Sequence, residues 1–160
     1  AITAAIVESG HAVDFNESGD SCTIHRGGNL KGVDLVTAPY PGYPTDMQAQ
    51  IIGLLATTPG ISVIKDTIFP QRFMHCAELK RMGADIKVDN GTAVVRGVEQ
   101  LSAAPVMASD LRASAALVLA ALTAKGSTAI SRLYHIDRGY EHIDEKLLML
   151  GANVERVKGG

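Results

Sequence analysis

Tryptophan is absent, and only four tyrosines, three phenylalanines and two cysteines occur in the whole sequence. Cys22 and Cys76 stand far apart, in neither a metal-ligand nor a CxxC pattern. That points away from a disulfide framework or a zinc site and towards reduced cytosolic thiols. Charge of one sign is lacking too: 15 Lys and Arg against 17 Asp and Glu leave a net charge of −2. Such a balance argues against general nucleic-acid binding but leaves room for a local anion site. No apolar run approaches the roughly 18 residues of a membrane span, and no signal peptide is visible, so no membrane partner is expected. A phosphate loop, a dinucleotide fingerprint and a GxSxG elbow are all missing. His75, His135 and His142 fall in no HxxxH pair and beside no acid-rich cluster. They are expected as surface or lining residues, with no metal and no cofactor.

What is present suits one soluble globular domain spanning residues 1–160, since 46% hydrophobic and 20% charged residues suffice for a substantial core. The first residue is alanine, so an upstream segment or a processed N-terminus is expected. Sixteen glycines imply many tight turns. The phrase "GHAV" (10–13) returns as "GADI" (83–86) and as "GANV" (151–154). Between these marks "TDMQAQIIGLLATTPGISVI" (45–64) matches "SDLRASAALVLAALTAKGSTAI" (109–130). "FPQRFMHCAELKRMGADI" (69–86) likewise matches "HIDRGYEHIDEKLLMLGANV" (135–154). A repeat of roughly 70 residues is too long for a solenoid unit. It predicts an α/β (α+β) fold built from about two modules, roughly 10–82 and 83–157, with a truncated first copy whose missing edge is supplied elsewhere.

Periodicity places the elements. Met47, Ile51 and Leu54 share one helical face, as do Leu111, Ala115, Val118 and Leu122. Ile143, Leu147 and Leu150 mark a further helix, with Gly151 where a C′ residue belongs. Short strands are predicted at "CTIHR" (22–26), "ISVI" (61–64), "TAVVR" (92–96) and "NVERV" (153–157), and Asn90-Gly91 signals a primed-turn hairpin.

Three prolines, Pro39, Pro41 and Pro44, lead into Thr45 and Asp46 ahead of an apolar-periodic run. Asp46 aligns with Asp110 across the repeat, and either acid could cap a helix. Asp110 has no such ramp, so capping accounts for it, whereas the stiffened approach to Asp46 suits a positioned general base. Arg112 falls in a first helical turn, and Arg72 and Arg138 at or just before theirs. A cation there opposes the helix dipole by several tenths of a kcal/mol. A bound anion would reverse that sign, so the three arginines could converge on one anionic ligand. Pairing with nearby acids such as Asp110, Asp137 or Glu141 is the simpler alternative.

"TAPYPGYPTDMQAQ", "RFMHCAELKRMGADI", "DLRASAALVLAAL" and "LYHIDRGYEHIDEKLLMLGANVERV" together resemble the UDP-N-acetylglucosamine enolpyruvyl (1-carboxyvinyl) transferases. The resemblance runs nearly unbroken from Thr37 onward. It implies an inverted α/β barrel, incomplete in this chain, and a C-terminal part of a two-domain enzyme whose active site lies between domains. It further implies that Asp46 is the base facing the sugar 3′-hydroxyl, with Thr45, Ile68 and Phe69 beside the UDP-sugar. Arg112 and Arg138 would hold phosphoenolpyruvate and the leaving phosphate, Arg72 would be a further cleft arginine, and Asp110 an acid close to the site. The implied partners are UDP-N-acetylglucosamine, phosphoenolpyruvate and the missing N-terminal domain. That domain carries the family's reactive cysteine loop, a role neither Cys22 nor Cys76 matches, so this chain would hold half an active site. The shikimate-pathway relative and a non-catalytic ligand-binding domain are the alternatives.

Overall fold

A computed structural model describes residues 1–157, an α/β arrangement of six α-helices and eight short strands among those residues. Helix α1 (Ile2–Glu8) precedes a hairpin of β1 (Ala12–Phe15) and β2 (Cys22–His25). Strand β3 (Leu35–Val36) then leads, through the three-proline segment and a 3-10 turn at Thr45–Met47, into α2 (Gln48–Leu55). Next come β4 (Ile61–Lys65), α3 (Met74–Arg81), β5 (Asp85–Asp89) and β6 (Thr92–Arg96). The last part holds β7 (Val106–Met107), α4 (Leu111–Thr123), β8 (Ile130–Ser131), α5 (Tyr134–Asp137) and α6 (Ile143–Met149).

The central sheet runs β3-β4-β6-β5, with β3 parallel to β4 and the other pairs antiparallel. Its strands alternate as a half-buried sheet demands: Ser62 and Ile64 face inward on β4, Ala93 and Val95 on β6. Asn90 and Gly91 both take positive φ, 43° and 73°, and so make the predicted primed turn that pairs Asp89 with Thr92. Ile52, Leu55, Ile64, Leu79, Met82, Ile86 and Leu117 fill the core between sheet and helices. Helices α2 and α4 pack closely, because a Cβ on Gly53 would lie only 3.2 Å from the Ala116 carbonyl oxygen.

Each of the three glycine phrases has one local meaning. Gly10, Gly83 and Gly151 take φ of 98°, 90° and 89°, two residues past the last residue of α1, α3 and α6. They are left-handed helix stops, and β1 and β5 follow the first two. After the third, the predicted strand at 153–157 does not form. Val154 and Val157 are three residues apart and so share no strand face, and Val157 is 72% exposed. Arg156 instead reaches back to Asp137 and Asp144, with contacts of 2.9 Å to each. No helix is long and apolar enough to cross a membrane among the described residues.

Candidate functional site

The three-proline approach is a closed loop. Ala38 N–H donates to the Tyr43 carbonyl at 3.0 Å, Thr37 bridges to Tyr43, and the buried Tyr43 donates its hydroxyl to the Met47 carbonyl at 3.3 Å. The loop delivers Thr45 and Asp46 into the 3-10 turn, and Met47, not Asp46, is the N-cap of α2. Asp46 makes no capping bond. Its carboxylate, 62% exposed, points instead at two arginines: Arg112 Nε at 2.5 Å and Arg72 Nη1 at 3.4 Å from the same Oδ1.

Asp110 does cap. Its Oδ1 accepts the backbone N–H groups of Arg112 at 2.9 Å and Ala113 at 3.0 Å, which fixes the first turn of α4 and the root of the Arg112 side chain. Arg72 precedes α3 and lies over the Phe69 ring, its guanidinium carbon 3.8 Å from the ring centroid. The same Nη1 is 3.4 Å from Thr45 Oγ1. Thr45, Asp46, Phe69, Arg72, Asp110 and Arg112 are thus joined through named contacts, and Ile68, 37% exposed, adjoins Phe69. Arg138 is not joined to them. It is the exposed C-cap of α5, five residues ahead of α6, and forms no ion pair among the described residues. The expectation of a helix N-terminus for Arg138 is therefore corrected, and its position at a C-terminal end suits a cation.

Both guanidinium groups converge on a single oxygen of the Asp46 carboxylate. The Asp46 side chain is 62% exposed and those of Arg72 and Arg112 are 23% and 33% exposed, so solvent still screens these pairs, which typically contribute about 0–1 kcal/mol to stability. A carboxylate able to accept a proton, set beside cations able to hold an anion, is equipped for proton abstraction coupled to anion stabilisation.

One residue bonded to several of these segments gives no signal in the sequence. Asp66, 1% exposed at the end of β4, accepts Thr37 Oγ1–H and Thr45 Oγ1–H at 2.7 Å each, and the backbone N–H groups of Ile68 and Phe69 at 2.9 Å each. Burial pushes its carboxyl up, but the bonds from Phe69, Thr37, Thr45 and Ile68 outweigh it and hold it below the ordinary carboxylate range. His75 was expected as a surface or lining residue and is instead 1% exposed. It lies on the inner face of α3 with Leu79 and Met82, its ring stacked on Phe73 at 6.2 Å between centroids. Burial lowers its pKa to about 4 against the opposing pull of Asp110. Gln48 is also fully buried, with neither amide atom partnered among the described residues.

The family model described as EPSP synthase (3-phosphoshikimate 1-carboxyvinyltransferase) matches residues 1–147. The chain is 73% identical over 156 residues to the UDP-N-acetylglucosamine 1-carboxyvinyltransferase of Akkermansia muciniphila, covering 98% of this chain and 37% of that protein. It is 56% identical over 147 residues to the enzyme of the same name from Dinoroseobacter shibae, covering 91% and 35% respectively. Among solved structures, the enolpyruvyl transferase NikO from Streptomyces tendae superposes with a TM-score of 0.86 at 29% identity, over 96% of this chain and 35% of that one. EPSP synthase from Acinetobacter baumannii, at 18% identity and a TM-score of 0.71 over 97% of this chain and 36% of that one, shares the fold. The chain spans little more than a third of the length of the curated relatives it matches.

Proposed function

The chain belongs to the EPSP synthase (3-phosphoshikimate 1-carboxyvinyltransferase) family, and from that premise we propose that it is part of an enolpyruvyl transferase acting on UDP-N-acetylglucosamine. The enolpyruvyl group comes from phosphoenolpyruvate, the acceptor is the sugar 3′-hydroxyl, and phosphate is released. In this reading the protein works in the bacterial cytoplasm at the first committed step of peptidoglycan synthesis and needs no cofactor. The single observation that carries the reading is the exposed Asp46 carboxylate bracketed by Arg112 and Arg72. The name shared by relatives more than 50% identical, UDP-N-acetylglucosamine 1-carboxyvinyltransferase, supports the UDP-sugar as the acceptor.

The residues divide the chemistry. Asp46 takes the proton of the sugar hydroxyl as its oxygen bonds to C2 of the enolpyruvate and a proton is added at C3. The tetrahedral intermediate then loses a proton from C3 together with phosphate, which restores the C2–C3 double bond in the product. Arg112 and Arg72, held beside the Asp46 carboxylate, also face the incoming anion and stabilise its charge, the role in which fixed cations contribute most. Arg138, exposed at the end of α5, supplies a third cation for phosphoenolpyruvate or the leaving phosphate. Thr45, Ile68 and Phe69 form the wall against which the UDP-sugar lies, and Asp110 holds Arg112 by capping its helix. The remainder of the enzyme supplies the opposite wall and the group that protonates C3.

The test is phosphate release by the full-length protein. Turnover is expected with phosphoenolpyruvate and UDP-N-acetylglucosamine and not with shikimate 3-phosphate. Turnover of shikimate 3-phosphate alone would assign the chain to the shikimate branch. Ligand binding without any turnover would make it a binding domain.

A further inference from the structure

We propose that Asp66 is a positioning residue, which sets Asp46 and Arg72 at their working separation through Thr45 and Phe69. This inference rests on the reading of Asp46 as the base. Asp66 itself is buried, and its carboxylate accepts hydrogen bonds from four groups of the chain.

Three separate segments meet on its carboxylate. Oδ1 holds Thr37, at the end of β3, together with the Ile68 and Phe69 backbone. Oδ2 holds Thr45 alone among the described residues. The junction is braced from behind, since Asp66 N–H donates to the Gly91 carbonyl at 2.8 Å in the hairpin turn. Thr67 is locked to Thr37 in both directions, its N–H donating to Thr37 Oγ1 at 3.0 Å and its hydroxyl to the Thr37 carbonyl at 2.5 Å. Both ends of the Asp46–Arg72 contact therefore depend on one carboxylate. Thr45 precedes Asp46 directly, and Phe69 is the ring beneath the Arg72 guanidinium.

The polarity of the Thr45 link matters. A hydroxyl has one proton, and Thr45 spends it on Asp66, so its lone pairs are left to face Arg72 Nη1, which can only donate. Asp66→Asn isolates this link. The amide oxygen can keep the three Oδ1 bonds, while an NH2 group replaces Oδ2. Thr45 must then accept from that NH2, and its own proton is driven toward the Arg72 donor. The Thr37 and Phe69 bonds survive, and the setting of Thr45, Asp46 and Arg72 is lost.

The experiment uses the full-length protein, with steady-state turnover of phosphoenolpyruvate and UDP-N-acetylglucosamine. Asp66→Asn is expected to lower kcat about 10- to 100-fold, the scale of a displacement near 1 Å, and to leave KM for the UDP-sugar within about threefold. Thr45→Val should reproduce the loss and Thr45→Ser should restore most of kcat. In an Asp46→Asn background, Asp66→Asn should cost less than about twofold, because both substitutions remove one function. A purely structural Asp66 would instead give losses that multiply in full, and that result overturns the proposal, as does an Asp66→Asn kcat within twofold of wild type. A crystal structure of the Asp66→Asn protein supplies a readout independent of turnover: Asp46 and Arg72 should separate, and an unchanged pair would refute the positioning role. If the unsubstituted protein turns over no UDP-N-acetylglucosamine, the functional reading fails, and the Asp46–Arg72 separation alone decides the role of Asp66.

Discussion

His75 makes the protein sensitive to mild acid, and the size of the effect follows from its burial. The ring is 1% exposed on α3, stacked on Phe73, with the Cys76 thiol 3.6 Å from Nε2. Burial lowers its pKa to about 4, with Asp110 opposing, whereas the unfolded chain carries an ordinary value of about 6.5. Below that value the unfolded state binds a proton that the folded state refuses. Stability is therefore complete above about pH 6.5 and is lost as pH falls toward about 4, where the folded histidine protonates as well. At about 1.36 kcal/mol per unit, the loss between pH 7 and pH 5 amounts to about 2 kcal/mol. Urea unfolding of the protein at those two pH values should show that difference. His75→Gln will have a different absolute stability, but its pH dependence over the same interval should be flatter by about that amount. Equal pH dependence in the two proteins would show that His75 is not the group responsible.

Two further outcomes separate structural from functional roles. Asp110→Ala removes the two capping bonds at the start of α4 and should cost about 1 kcal/mol in thermal or urea unfolding, with Asp110→Ser recovering most of it; no loss would mean that the first turn of α4 does not depend on the cap. Arg138→Ala, at an exposed position without an ion pair among the described residues, should leave stability within about 0.5 kcal/mol of wild type. The same variant should weaken phosphoenolpyruvate or phosphate binding in a direct titration, and unchanged affinity would remove Arg138 from the site.

The elements that local chemistry determines were legible in the sequence. The Asn90-Gly91 hairpin depends on two residues that tolerate positive φ, and the three glycine stops on one residue each, so both can be read without knowing what packs against them. Asp46 was legible for a related reason. The internal match to Asp110 supplied a comparison in which one acid caps and the other, behind three prolines, does not. Asp66 was invisible because its importance is entirely long-range. A single acid after a strand looks like a turn residue until Thr37, Thr45 and Phe69 are brought around it. The burial of His75 has a local signal, since its spacing to Leu79 on α3 and to Met82 just past it is that of one helical face. Arg138 was misplaced because the match to Arg72 aligned the arginines without weighing the longer stretch from Arg138 to its helix stop at Gly151. That longer stretch makes the end of one short helix where the start of another was expected.

The central claim is that Asp46 stands between Arg112 and Arg72 to take a proton, not to hold the fold together. It is tested most directly by comparing Asp46→Asn with wild type in the full-length protein, measuring phosphate release and UDP-N-acetylglucosamine affinity on the same samples. Loss of a positioned general base predicts a fall in kcat of about 100-fold or more, with the unfolding midpoint preserved and the sugar nucleotide still bound. Phosphate release within a few-fold of wild type would contradict the account and leave Asp46 an ordinary surface partner of two arginines.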